Sequence, residues 1–298
     1  MTLVAEDQGM ESFEGRTAVI TGGASGIGLA LAERFAAERM NIVLGDIQED
    51  ALEAAVRQLE SRQANVLGVL TNTMLRDSVN ALRDEAIERF GNVHVVCNNA
   101  GVFGTRHVMQ PVWEVPEEDW DWVMGVNFDG VLYGVQAFVP HMLGHGEGGH
   151  IVNTASVAGI TAGGGNYGVS KHAVLALTES LERDLVAAGG EVRASVLCPG
   201  FVDTKIFEAE RNRPDVLRVG ENQEGGEFGR AMTAVGKAPA EVAEAVFDGV
   251  RSQTFYILPH PSWDEIVRER TEQILARGDV ATFDMERLRR KQADGEQI

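Results

Sequence analysis

A short apolar run, residues 17–20, leads at once into TGGASGIG at residues 21–28, and the amphipathic stretch LALAERFAAER follows. Strand, glycine turn and helix in that order leave few folds open, because the strand must end over the first turn of a helix. Gly22, Gly26 and Gly28 fall in a G-x-x-x-G-x-G spacing, with Ser25 and Ile27 between them on the same turn. Such glycines let the backbone approach a pyrophosphate, whose charge sits at the helix N-terminus. A second apolar run, 41–44, ends in Gly45-Asp46-Ile47. Asp46 stands about 20 residues past the glycines, where an acid accepts from the ribose 2′-hydroxyl of NAD. Asp46 is also a candidate N-cap for the helix expected over 47–59; the glycine turn favours the ribose role. Ile47 brings no cation to offset a 2′-phosphate, and Arg16 lies before the first strand. The turn therefore predicts NAD rather than NADP.

The alternation continues along the chain. Strands are expected at 65–70, 93–97, 150–154, 193–197 and 255–258, and helices at 77–90, 117–143, through Tyr167, and at 241–251. Strands alternating with helices predict an α/β fold: a doubly wound, mostly parallel sheet with helices on both faces. Ligands in such sheets bind outside the carboxyl ends of the strands. No repeat or linker divides the 298 residues, so one domain is expected over 1–298, with its core at about 14–260. Residues 1–13 read as a loose leader and 261–298 as a C-terminal extension. That extension holds one amphipathic stretch, WDEIVRERTEQIL, and a charged end. Residues 203–238 are rich in charge and glycine, bury little alone and predict a mobile lid, with Ile206 and Phe207 turned toward an apolar substrate.

Net charge is −19. A surface this acidic repels phosphate backbones and anionic lipid, which argues against nucleic-acid and membrane partners. Cys97 and Cys198 each lie in an apolar, strand-like run and read as buried free thiols. No cysteine–histidine cluster suggests a metal, no stretch is long enough to span a membrane, and the acidic N-terminus is no secretory signal; a cytoplasmic protein is expected.

The chemistry collects at the strand ends. Tyr167 and Lys171 are one helical turn apart, on one face. A tyrosine hydroxyl titrates near ~10, and an ammonium one turn away favours its ionised form. Ser156 falls just beyond the fifth strand, Asn98-Asn99-Ala100-Gly101 closes the fourth, and Pro199-Gly200 breaks the sixth. Moving a hydride between an alcohol and a ketone needs a hydride carrier, a proton shuttle and a donor to the developing oxyanion.

In TGGASGIG, NNAG, Asn127, Ser156, Tyr167-x-x-x-Lys171 and PGFVDT (199–204), the chain resembles the single-domain branch of the short-chain dehydrogenase/reductase family, over about residues 14–260. The resemblance implies a Rossmann fold and NAD as cofactor. It makes Tyr167 the general acid/base and Lys171 the holder of the nicotinamide ribose. It gives Ser156 the substrate oxygen and Asn127 a water-mediated proton relay. Val202 and Thr204 would hold the carboxamide, and Asn72 would accept from the adenine amino group where relatives often carry Asp. Ala100, Pro199 and Gly200 would complete the cofactor site, and Val102, Phe103 and Phe201 join Ile206 and Phe207 around the substrate. The loop from Ser156 to Tyr167 looks about two residues shorter than the family's common form and is glycine-rich. The YILPHP and FVPHML–GHIVN segments are similar to bacterial members that oxidise bulky, often aryl-substituted secondary alcohols. A small-molecule alcohol or ketone is thus the expected partner, and a homodimer or homotetramer the expected assembly. A non-catalytic NAD-binding sensor and an extended-branch epimerase or dehydratase remain as alternatives.

Overall fold

The computed structural model describes residues 12–104, 110–219, 236–281 and Arg290. Seven strands form one sheet in the order β3-β2-β1-β4-β5-β6-β7, and every neighbouring pair is parallel. They are β1 (Thr17–Thr21), β2 (Asn41–Asp46), β3 (Val66–Leu70), β4 (Val95–Asn98), β5 (Gly149–Thr154), β6 (Val192–Leu197) and β7 (Tyr256–Ile257). The order reverses between β1 and β4, which opens a crevice at their carboxyl ends.

Side chains alternate across the sheet and so assign the two helical layers. Ala18 and Ile20 of β1 face a core built with α1 (Gly26–Ala37), α2 (Glu49–Ser61) and α7 (Pro239–Arg251). Val19 faces the opposite core, built with α3 (Arg76–Phe90), α5 (Gly130–His145) and α6 (Gly165–Ala187). Both sheet faces are covered, so the strands read as near-continuous apolar runs. The fold class is the expected doubly wound Rossmann sheet.

Several boundaries differ from the sequence reading. The helix expected over 117–143 is α4 (Glu117–Met124), a π-helical turn (Gly125–Asp129) and α5. Phe13, assigned to a loose leader, is buried against Phe247 with ring centroids 4.8 Å apart; an aromatic ring buries enough apolar area to anchor the chain start. The amphipathic stretch past 260 is α8 (Asp264–Ala276). It docks through Trp263 and Ile266 against Val157 and Phe201. Of the expected lid, 203–219 and 236–238 are described and 220–235 lie outside the described residues. Lys205 is followed by a 3-10 helix, Ile206–Asn212, whose Ala209 is buried against Val102, Trp122 and Val123. No helix among the described residues is long and apolar enough to cross a membrane.

Candidate active site

The glycine turn and the NNAG segment are fastened to each other. Thr21 Oγ1 accepts from the backbone N–H groups of Asn99 (3.0 Å) and Ala100 (3.1 Å), and Asn99 Nδ2 donates to Thr21 O (3.1 Å). This contact leaves no room for a side chain at Gly22. A Cβ there would lie 2.9 Å from Ala100 Cα, and its φ of +65° is left-handed. A Cβ at Gly28 would lie 2.0 Å from Gly22 O, so that glycine serves helix packing.

Asp46 ends β2 with both carboxylate oxygens held: Oδ2 accepts from Ala24 N and Oδ1 from Gln48 N, each at 3.0 Å. The cradle is therefore empty of side chains at Gly22, narrow at the helix start and acidic at the next strand end. That combination fits the pyrophosphate and ribose of a dinucleotide. Asn72 Oδ1 accepts from Met74 N at 3.0 Å, which leaves one of its two acceptor positions for an adenine.

Across the cleft, β5 ends at Thr154 and delivers Ser156, and α6 delivers Tyr167 and Lys171. The short Ser156–Tyr167 loop closes without separating them, because Gly163, Gly164 and Gly165 all adopt positive φ (+98°, +86° and +56°). Gly164 O then accepts from Gly168 N at 2.8 Å, and α6 begins two residues before Tyr167. Ser156 Oγ accepts from Ala158 N at 3.1 Å and donates to Pro199 O at 3.4 Å, and the Ser156 and Tyr167 side chains line the same cavity. Lys171 Nζ donates to Thr154 O at 2.9 Å and stands 5.6 Å from the Tyr167 ring centroid.

Burial dominates the titration of this pair. It pushes the Tyr167 hydroxyl up to about 12, against a smaller lowering by the Ser156 side chain. It pushes the Lys171 ammonium down to about 8. The helical spacing predicted an ammonium that stabilises the phenolate. In the structure the ammonium is directed to a carbonyl, and desolvation disfavours the charged form of both groups.

A cavity of about 520 Å³ joins the two halves. It brings together almost every residue singled out in the sequence: Ser25, Gly26, Ile27, Asp46, Ile47 and Asn72 on one side, and Tyr167, Lys171 and Ser156 on the other. Asn99, Ala100, Gly101, Pro199, Gly200, Val202 and Thr204 also line it, Thr204 lying directly against Gly26. Val102, Phe103, Phe201, Ile206 and Phe207 form its apolar end. Phe103 links that end to the chemistry, with ring centroids 4.7 Å from Tyr167 and 4.9 Å from Phe207.

Gly28 and Asn127 do not face the cavity. Asn127, in the π-helical turn, is fully buried. Its Oδ1 accepts from Val102 N (2.8 Å), and its Nδ2 donates to Val102 O (3.0 Å) and Ser170 Oγ (3.0 Å). Asn127 Oδ1 and Lys171 Nζ nevertheless flank Gly101, each 3.5 Å from where its Cβ would be.

Sequence reasoning missed other parts of the site. Trp122 of α4 and Val126 of the π-helical turn line the cavity, and their four-residue spacing was the available signal. Arg211 reaches back across the mouth, its Nη2 donating to Gln48 Oε1 at 3.2 Å, and no local pattern marks that contact. His260, within YILPHP, clips the Pro199 loop: Nδ1 accepts from Gly200 N and Nε2 donates to Phe201 O, each at 3.0 Å. Among the described residues no group of three or more His, Cys, Asp or Glu could hold a metal ion.

A doubly wound sheet with this cleft at its switch point fits the class of dinucleotide-binding proteins, and comparison with known proteins makes the class specific. The short chain dehydrogenase family model matches residues 16–215. A short-chain dehydrogenase/reductase from Burkholderia phymatum, solved in complex with NAD, is 43% identical with a TM-score of 0.85, covering 93% of this chain and 99% of that one. A 1-deoxy-11-beta-hydroxypentalenate dehydrogenase of Streptomyces avermitilis is 40% identical over 81% of this chain and 83% of its own length. A 3beta-hydroxysteroid dehydrogenase of Eggerthella lenta is 36% identical over 64% of this chain and 73% of its own. The chain belongs to the short-chain dehydrogenase/reductase family. It is an oxidoreductase of that family, acting on a small molecule.

Proposed function

We propose that the protein is an NAD-dependent secondary-alcohol dehydrogenase or ketone reductase for bulky, apolar substrates. The observation that carries the reading is the Ser156–Tyr167 hydroxyl pair, which opens on an apolar chamber of Phe103, Trp122, Val126, Ile206 and Phe207. A hydroxyl pair gives one donor that can protonate and one that can orient a substrate oxygen. The chamber walls supply area rather than charge, which suits an apolar substrate.

In this reading Tyr167 carries the proton at Oη, and Ser156 Oγ donates to the substrate oxygen. Lys171 holds the nicotinamide ribose, and Asn127 supports the relay behind it while fixing the Val102 backbone. The residues fit NAD: Gly22, Ser25, Gly26 and Ile27 would hold the pyrophosphate, with Asp46 and Ile47 at the adenosine ribose. Asn72 would meet the adenine. Asn99, Ala100, Gly101, Pro199, Gly200, Val202 and Thr204 would line the nicotinamide side. When bound, NAD supplies the hydride acceptor for alcohol oxidation, and NADH the donor for the reverse. Two relatives named as dehydrogenases of a hydroxypentalenate and of hydroxysteroids support a large hydroxyl-bearing substrate. A cytoplasmic location belongs to the same reading.

The test is a dehydrogenation screen with NAD across secondary alcohols graded by size and aromaticity. The expected result is NADH formation with the highest kcat/KM for bulky apolar members. NAD should exceed NADP at least tenfold, about 1.4 kcal/mol, because the Asp46 carboxylate repels a 2′-phosphate. Equal efficiency with NADP would overturn the cofactor assignment. Dinucleotide binding with no turnover across the panel would favour the sensor alternative.

A further inference from the structure

The lid helix and the catalytic helix meet at one buried residue. Arg213, at the C-terminal end of the Ile206–Asn212 turn, is 3% exposed, and Asp119 of α4 is fully buried. The Arg213 guanidinium forms an ion pair with the Asp119 carboxylate. Its other arm reaches Glu210 Oε1 at 3.3 Å, and its plane lies 4.8 Å from the Trp122 ring centroid. Asp119 also acts through its backbone: its carbonyl accepts from Asn166 Nδ2 at 3.2 Å, and Asn166 Oδ1 accepts from Tyr167 N at 2.9 Å. One residue of α4 therefore holds the lid by its side chain and the start of the catalytic helix by its main chain.

Two charges in so dry a position are not a general stabilising device, since well-packed apolar residues often serve stability as well or better. What the pair adds is geometry. A guanidinium fork held by carboxylates accepts few orientations. Its seat fixes the turn that carries Phe207 against Phe103, and through Phe103 against Tyr167. We propose that Asp119 and Arg213 are positioning residues that seat the lid's apolar face and register it to Tyr167, and so set the KM for bulky substrates. Neither side chain belongs to the cavity lining, so both act through the residues they hold.

The test compares Asp119→Asn and Arg213→Met with a double variant, Asp119→Leu/Arg213→Met, which removes the fully buried pair together and leaves only the partly exposed Glu210 without its partner. In each folded variant the KM for the preferred bulky alcohol should rise at least tenfold. The KM for the smallest alcohol accepted should rise less than threefold, with kcat and NADH affinity within threefold of the parent. Arg213→Lys, which keeps the charge and loses the fork, should fall between. Trypsin cleavage at Arg218 should accelerate in the ligand-free variants. This proteolytic arm needs no substrate, so it tests the anchor even if the alcohol/ketone reading fails. A double variant with parental melting temperature, parental KM for bulky substrates and parental cleavage rate would overturn the proposal. So would KM increases of equal size for small and bulky substrates.

Discussion

Tyr167 shows how a residue's identity and its chemical state are legible to different degrees. The Tyr-x-x-x-Lys spacing marked the residue, because spacing is written in the chain. Its protonation state was not legible there, because it depends on how deeply the fold buries the ring, and burial pushes the hydroxyl up to about 12. A neutral phenol is the form that donates a proton to a ketone. Alcohol oxidation needs the phenolate, so its rate should climb as pH rises toward the tyrosine value, by up to about tenfold per unit while that step limits. Ketone reduction should show no such climb over pH 6–8. Tyr167→Phe should lower kcat by at least ~10²-fold with NAD affinity nearly unchanged, because only the hydroxyl is removed. Steady-state rates in both directions and a dinucleotide titration check this. A Phe variant that keeps more than about a tenth of parental kcat would move the acid/base role elsewhere.

Among the elements, strands and glycine turns were the most legible, because their signals are local. The apolar runs at 17–20 and 41–44 fall within β1 and β2, and TGGASGIG spans the turn into α1. What local pattern did not carry was long-range contact. Phe13 against Phe247, His260 on Gly200 and Asp119 under Arg213 each depend on segments far apart in the chain. The same limit affects the apolar surfaces of α4, α5 and α6, on which the expected homodimer or homotetramer bears. Phe138, Val174 and Leu185 are fully buried against the chain's own sheet and are not available to a partner. Trp120, Met124, Phe128 and Leu132 along α4, the π-helical turn and α5, and Leu177 and Leu181 on α6, stay only half-buried. A stripe one helix face wide is enough to cover a sheet, so this remainder supports a second packing surface. We propose a homodimer or homotetramer built on these helices. Light scattering at micromolar protein should return at least twice the 32.2 kDa chain mass. A monomer mass would remove the proposal, and a Leu132→Glu/Leu177→Glu variant should shift the assembly toward monomer.

For the whole molecule, acid sensitivity follows from histidines that the fold keeps neutral. His150, in β5, is buried with its Nε2 2.6 Å from Ser195 Oγ, and burial pushes it down to about 3. His94, His141 and His260 are lowered in the same direction, burial being the largest cause in each. Their geometry agrees: His94 Nδ1 accepts from Thr17 N, His141 Nε2 from Val93 N and His260 Nδ1 from Gly200 N, and a protonated ring nitrogen cannot accept. An unfolded histidine titrates near ~6.5. Folded pKa values below that mean that the unfolded chain binds more protons as pH falls. The stability present above about pH 6.5 is therefore lost progressively below it, and for His150 the loss continues toward its folded value. His150, with its folded value near 3, costs about 1.4 kcal/mol per pH unit below 6.5, or about 2 kcal/mol at pH 5, against a total of about 5–15 for a typical protein. The opposing effect is relief of self-repulsion in a chain of net charge −19. Most of its carboxylates take up protons nearer pH 4, so between pH 6.5 and 5 the histidines decide the sign. The urea midpoint should fall steadily across that window. His150→Asn, although less stable at pH 7, should show a shallower fall, because the group with the largest shift no longer titrates. A midpoint that stays level from pH 7 to pH 5, or a variant with the parental slope, would mean that His150 is not held neutral by the fold.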